Sequence, residues 1–245
     1  MPVRLTTGQF LRAATIGGVI WNCIIAHNAM AQAVGAPLPN SDTRASKDVP
    51  TNDTGCLKRL SILGAEFARG AVSSAAIPSN AASGTCVIKE PVVLTAINIA
   101  GQSPSRISFP SKPLLSCEMA EQFGHFIGTV AAPLARGIFS KPLESVETGP
   151  GFECRPRNRQ AGAKMSSHAQ GDAVDISAIT LAGKETHRVV QSNNSEAKQF
   201  FAALRTAGCG AFSTVLGPGS DMFHNDHLHF DIEKRGRDGK SKFCQ

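Results

Sequence analysis

Of the seven histidines in the chain, three fall within six residues, in the segment His224-Asn225-Asp226-His227-Leu228-His229-Phe230-Asp231-Ile232. Imidazole is the commonest metal ligand near neutral pH. On a strand, His227, His229 and Asp231 project one way and Leu228, Phe230 and Ile232 the other. The apolar set should enter the core and leave the polar set on an open face. A second segment, Ser166-Ser167-His168-Ala169-Gln170-Gly171-Asp172-Ala173-Val174-Asp175-Ile176, carries compatible chemistry. Ala173 to Ile176 reads as a strand with Asp175 outward, and Gly171 permits a turn that folds His168 back toward Asp175. Two neutral nitrogens and one carboxylate, from His168, Asp175 and His229, suit Zn²⁺ with a water in the fourth position. Such a site acidifies its water and polarises a carbonyl. A third, basic segment, Cys154-Arg155-Pro156-Arg157-Asn158-Arg159, lies just upstream.

Blander roles compete for several of these residues. Asp231 could simply pair with an arginine, Asp172 reads as a turn residue, and His187 sits in a polar, solvated stretch. His125, inside a helical pattern, reads as solvated or hydrogen-bonded structure. The chain has no H-E-x-x-H, no deaminase H-x-E…P-C-x-x-C and no G-x-S-x-G.

The elements that must position these groups are partly visible. Leu57, Leu60, Leu63, Ala65 and Phe67 form a short apolar element. Cys86-Val87-Ile88 and Val92-Val93-Leu94 read as β-structure broken by Pro91. Cys117 to Ala132 has helical steps through Met119, Phe123, Phe126, Ile127 and Val130. Glu196 to Thr206 reads as a second helix, with Ser195 as N-cap and Gly208 as stop. The fold class expected is α+β: a single domain with a mainly antiparallel sheet carrying the zinc site, helices packed on it, and cysteine staples.

Residues 1–33 are expected to be a secretory signal peptide. Arg4 and Arg12 precede an acid-free apolar run from Ala13 to Ala26, and Ala29-Met30-Ala31 and Ala31-Gln32-Ala33 offer cleavage sites. The run is too short to span a membrane comfortably, so no stable span should remain after cleavage. Residues 34–55 are polar and aperiodic and read as a flexible linker, and residues 56–245 as the folded domain. Cleavage removes Cys23, leaving an even set of six cysteines that reads as disulfides of an exported chain, with fifteen possible connectivities. No pair has C-x-x-C spacing, which argues against zinc ribbons. Net charge falls from +6 by two with Arg4 and Arg12. That mild basicity fits an anionic cell-wall environment. No aromatic-interleaved basic stripe points to nucleic acid.

The pattern Ser166-x-His168-x-x-Gly171-x-Ala173-x-Asp175, followed by His227-x-His229, resembles the zinc D-Ala-D-Ala peptidase and Hedgehog-like superfamily. With Cys154-Arg155-Pro156-Arg157-Asn158, Val215-Leu216-Gly217-Pro218-Gly219, His224-x-Asp226-His227-x-His229-x-Asp231 and Cys244, it is most similar to the bacterial extensin-like C-terminal domain family. The resemblance implies zinc bound by His168, Asp175 and His229, with His227 beside it to orient water or stabilise an oxyanion. His224-x-x-His227-x-His229 is also similar to penicillin-insensitive murein endopeptidases, which implies an active-site role for His224. An upstream arginine, Arg155 or preferably Arg157, would hold a substrate carboxylate or oxyanion, with Ser166 as a further substrate-binding residue. In the superfamily's carboxypeptidases a glutamate lies three residues before the last zinc histidine, where this chain has the shorter Asp226. That departure favours endopeptidase-like chemistry on peptidoglycan stem peptides in the periplasm over D-Ala-D-Ala dipeptide hydrolysis. A zinc-containing binding module without turnover is the alternative. Oligomeric state and the bond cleaved are left open.

Overall fold

The computed structural model describes residues 55–71, 75–76, 78–101, 105–190 and 193–245. The expected signal peptide (1–33) and all but the last residue of the expected linker (34–55) lie outside the described residues. From Gly55 the chain runs α1 (Gly55–Ile62), β1 (Ala65–Arg69), β2 (Pro91–Asn98), β3 (Arg106–Ser108), β4 (Leu114–Ser116) and α2 (Cys117–Phe126). A π-turn (Ile127–Ala131) leads without a break into α3 (Ala132–Phe139). Then follow β5 (Leu143–Thr148), 3₁₀ turns at Arg157–Arg159 and Ser167–Gln170, β6 (Ala173–Leu181) and β7 (Glu185–Arg188). The chain ends with α4 (Ser195–Ala211), β8 (Thr214–Leu216), β9 (Leu228–Asp231) and β10 (Phe243–Cys244).

The strands form one sheet in the order β1-β2-β3-β5-β6-β9-β8-β10, with β4 also on β2 and β7 also on β6. Most pairs are antiparallel, and β3–β5 and β8–β10 are parallel. The α+β architecture is therefore as expected. Among the described residues no helix is long and apolar enough to cross a membrane.

Register explains where the core lies. Val174 on β6 pairs with Phe230 on β9, which pairs with Val215 on β8, and this apolar rung faces the helices. Phe230 packs with Phe126 of α2 and with Phe212, their ring centroids 5.0–5.6 Å apart. Gly208 of α4 lies so close that a Cβ would stand 2.5 Å from the Phe230 ring. The helix does not stop at this glycine, as its sequence position suggests, but runs through it to Ala211. The glycine is there for contact between layers. The N-cap is Asn194 and not Ser195: the Asn194 carboxamide accepts from the Ala197 N–H at 2.9 Å.

Two further expectations shift. The helix expected to end at Ala132 continues to Phe139, because the π-turn admits Pro133. A proline inside regular α-helix loses a hydrogen bond and clashes with the preceding turn, and the widened turn relieves both. Cys86–Ile88 forms no strand, and Pro91 opens β2 instead of breaking it. Proline is tolerated as a first strand residue.

Six cysteines pair as Cys56–Cys117, Cys86–Cys154 and Cys209–Cys244. Their sequence separations are 61, 68 and 35 residues, and closing loops of that length stabilises by roughly 4 kcal/mol each.

Candidate metal centre

On the sheet face opposite the helices, β6 and β9 place Asp175 directly across from His229, the pairing that brings side chains closest. The flanking rung joins Ala173, Asp231 and Thr214. His168 comes from the 3₁₀ turn before β6. The Ser166 hydroxyl caps that turn, accepting from the His168 N–H at 3.4 Å. Gly171 ends it with φ 69°, and a Cβ there would meet the Ser116 nitrogen at 2.7 Å. The expected return of His168 toward Asp175 is what the turn produces: His168 Nε2 is 3.3 Å from Asp175 Oδ2.

Two backbone features orient this histidine. His168 Nδ1 lies 2.7 Å from the Gly151 carbonyl, which can only accept, so Nδ1 donates there and Nε2 is turned toward Asp175. Gly151 has φ 78°, and a Cβ there would collide with the Leu114 carbonyl oxygen at 2.4 Å, so glycine is required for the approach. His229 is wired in the opposite sense. Its Nε2 faces Asp231 Oδ2 at 3.4 Å, while its Nδ1 faces Asp175 Oδ1 at 2.9 Å and His168 Nε2 at 3.3 Å. Asp231 also accepts from the Ser167 hydroxyl at 3.2 Å, the Glu233 N–H at 3.1 Å and the Thr214 hydroxyl.

His168, Asp175 and His229 thus offer ligand atoms that all lie within 4.8 Å of one another. Two ring nitrogens and a carboxylate converge here in a largely buried site, a set that could hold a metal ion. Burial alone would raise the Asp175 pKa. The charge and hydrogen bond of His168 and the bond to His229 outweigh it and hold this carboxylate well below its usual range. Burial likewise disfavours a charged His229, yet the hydrogen bonds to Asp175 and Asp231 raise its pKa to about 9. The site is built for positive charge, and its N₂O donor set fits zinc. A second grouping, Cys56, Glu90 and Cys117, does not fit, because its sulfurs are joined in a disulfide.

The remaining candidates line the same cavity, of about 290 Å³. His224 and His227 stand beside His229, with ring centroids 5.1 Å apart from each other and the His224 ring 5.6 Å from His229. Each is held through Nδ1 by an aspartate at 2.7 Å, His224 by Asp221 and His227 by Asp226. His227 Nε2 comes within 3.7 Å of Asp175 Oδ1. Burial pushes the His224 pKa below its usual value, against the opposing bond to Asp221.

Arg155, Arg157 and Ser166 line the cavity too. The arginine segment forms no strand. Pro156 makes one bridge to Met165, and Arg157–Arg159 turn with Asn158 at φ 53°. Each guanidinium is already paired: Arg157 Nη2 with Glu233 Oε1 at 2.6 Å, Arg155 Nε with Glu153 Oε2 at 2.8 Å. Arg159 also reaches Glu153.

Other expectations need correction. The polar face of β9 is not open: His229 is only 8% exposed and Asp231 3%, because the His168 turn and the loop after β8 cover it. Asp231 pairs with His229 and not with an arginine. His187 is buried and stacked on Phe139, with centroids 4.9 Å apart, where a solvated ring was expected. Asp172 takes a hydrogen bond from the Ser116 hydroxyl at 2.6 Å, and burial raises its pKa. The sequence reading missed Asp221, Thr214, Arg235 and Phe243. Asp221 stands three residues before His224, a usable signal; Arg235 and Phe243 carried none.

No curated protein and no solved structure matches the chain. Residues 56–245 match the family model described as Extensin-like protein C-terminus, and these include every residue of the cavity. The chain belongs to the extensin-like protein C-terminus family.

Proposed function

We propose that this chain is an exported zinc-dependent peptidase that hydrolyses amide bonds in peptidoglycan stem peptides or cross-links, working in the periplasm. One observation carries the reading: His168 is held through Nδ1 by the Gly151 carbonyl and His229 through Nε2 by Asp231, so that the remaining ring nitrogen of each meets the Asp175 carboxylate. Carboxylate-backed histidines of this kind are typical of zinc sites. The resemblance to the zinc D-Ala-D-Ala peptidase and Hedgehog-like superfamily points the same way, and three disulfides fit an oxidising compartment.

Zn²⁺, if held by His168, Asp175 and His229, would supply Lewis acidity toward a carbonyl and acidify a water. His227 does the proton work. With its Nδ1 proton on Asp226, its Nε2 faces the cavity beside Asp175 and can accept a proton from the nucleophile and return it to the leaving amine. His224, backed by Asp221, stands next to it in the same tautomer, and its Nε2 offers a second acceptor for moving protons. Arg157 holds a substrate carboxylate by exchanging part of its pairing with Glu233, with Arg155 behind it and Ser166 keeping the His168 turn in place.

One observation favours the binding-module alternative. Asp226 occupies the position of the superfamily's catalytic glutamate, yet its side chain is 71% exposed and engaged by His227. The deciding experiment is incubation of zinc-loaded protein with purified peptidoglycan, followed by chromatography of released muropeptides. New muropeptides from the native protein, and none from His168→Ala or Asp175→Ala, are expected. Stoichiometric zinc without release would favour the binding module, and equal release by both variants would remove the site assignment.

A further inference from the structure

We infer that the C-terminal wall of the cavity is a saccharide subsite, so that the ligand is a peptide still attached to its glycan. This rests on the peptidoglycan reading above and names its substrate more narrowly. Leu216 and Phe243 are the apolar side chains among the residues lining the cavity, and Phe243 is one of the few large apolar residues left exposed among the described residues, at 42%.

Its position is fixed from both sides. Its N–H donates to the Ser213 carbonyl at 2.8 Å, the next residue is locked to α4 by Cys209–Cys244, and the Gln245 N–H donates to the Val215 carbonyl at 3.0 Å. The Arg235 guanidinium lies over the ring, 5.6 Å from its centroid, and is itself pinned by Nε to Thr214 Oγ1 at 2.9 Å and by Nη2 to Glu233 Oε2 at 2.8 Å. The result is a rigid aromatic ring in a cavity wall, with Arg235 over one face and the planar donors of Arg157 and Asn158 lining the same cavity. An N-acetylated hexopyranose has the matching chemistry: an apolar C–H face for the ring and hydroxyl and acetamido oxygens at its edge for the donors. A bare peptide backbone would use the arginines and leave the ring idle.

Calorimetric titration of the zinc-loaded full chain separates the two ligands. The probes are a stem tetrapeptide and the same tetrapeptide on its N-acetylglucosamine–N-acetylmuramic acid disaccharide. The native protein should bind the disaccharide form at least about tenfold more tightly. Phe243→Ala should remove that preference while leaving tetrapeptide affinity and the circular dichroism spectrum unchanged, and Phe243→Tyr should restore it. Equal affinities in the native protein, or a preference that survives Phe243→Ala, would overturn the inference, as would no binding of either probe. Binding is read apart from turnover. A disaccharide preference without hydrolysis would sink the peptidase reading and leave the subsite standing.

Discussion

The two sides of the cavity are held in different ways. On the metal side, His168, Asp175 and His229 are mostly buried, and each polar atom has a partner inside the fold. On the arginine side, Arg155, Arg157 and Arg159 sit in partly exposed ion pairs with Glu153 and Glu233. Surface pairs contribute little and exchange partners readily, whereas a buried network is costly to disturb. The disulfides reverse that contrast. Cys154 immediately precedes Arg155, and Cys244 immediately follows Phe243, so the weakly paired wall is the one stapled covalently at both ends. One side is specified by hydrogen bonds and can hold an ion in one geometry. The other is pinned by its backbone and leaves its charges free to rearrange around a ligand.

The largest expected effect comes from breaking the buried side. Asp175→Ala should reduce zinc retained after dialysis from stoichiometric to undetectable by elemental analysis, whereas Arg157→Ala should leave it unchanged. Removing the covalent staple of the other side, with Cys86→Ser and Cys154→Ser together, should lower unfolding free energy by about 4 kcal/mol in denaturant titration. If zinc affinity fell equally in that variant, the two sides would not be independent.

Asp231→Asn is a finer probe. It keeps the shape but weakens the carboxylate behind His229, and should cost about 10–100-fold in zinc affinity by competition with a chromophoric chelator. Arg157→Ala should change stability by less than about 1 kcal/mol, the range of partly exposed pairs. The smallest effect is a pH-dependent control far from the cavity. Glu66 hydrogen-bonds Arg106 and Asn98, which lowers its pKa from 4.5 to about 2. Its stabilising contribution is therefore present above about pH 4.5 and lost as pH falls toward 2. The small difference in melting temperature between native protein and Glu66→Gln should be seen at pH 7 and vanish across that window.

Much of the metal side was legible because its signals are local. The alternation of β6 and β9 sets Asp175 and His229 on one face, and Gly171 marks the turn that returns His168. Their burial was not legible, since it depends on a turn and a loop that close over the sheet from elsewhere in the chain. Most of the wall gave no signal for a related reason. β8 has three residues and β10 two, too short for any periodicity, and β10 is recruited to the edge by a disulfide whose partner lies in α4. Helix ends were misread where packing overrode propensity: Gly208 serves Phe230, and Pro133 is absorbed by a π-turn.

The Gly151 carbonyl ties the half of the chain that contributes none of the three converging side chains to the half that supplies them. β4 holds it from the far side: the Leu114 N–H donates to Pro150, the Phe152 N–H donates to Leu114, and Ser116 binds both Gly171 and Asp172. Through these bonds β4 sets the carbonyl that orients the His168 ring. The position of His168 opposite Asp175 therefore depends on β4 as well as on the turn that carries it.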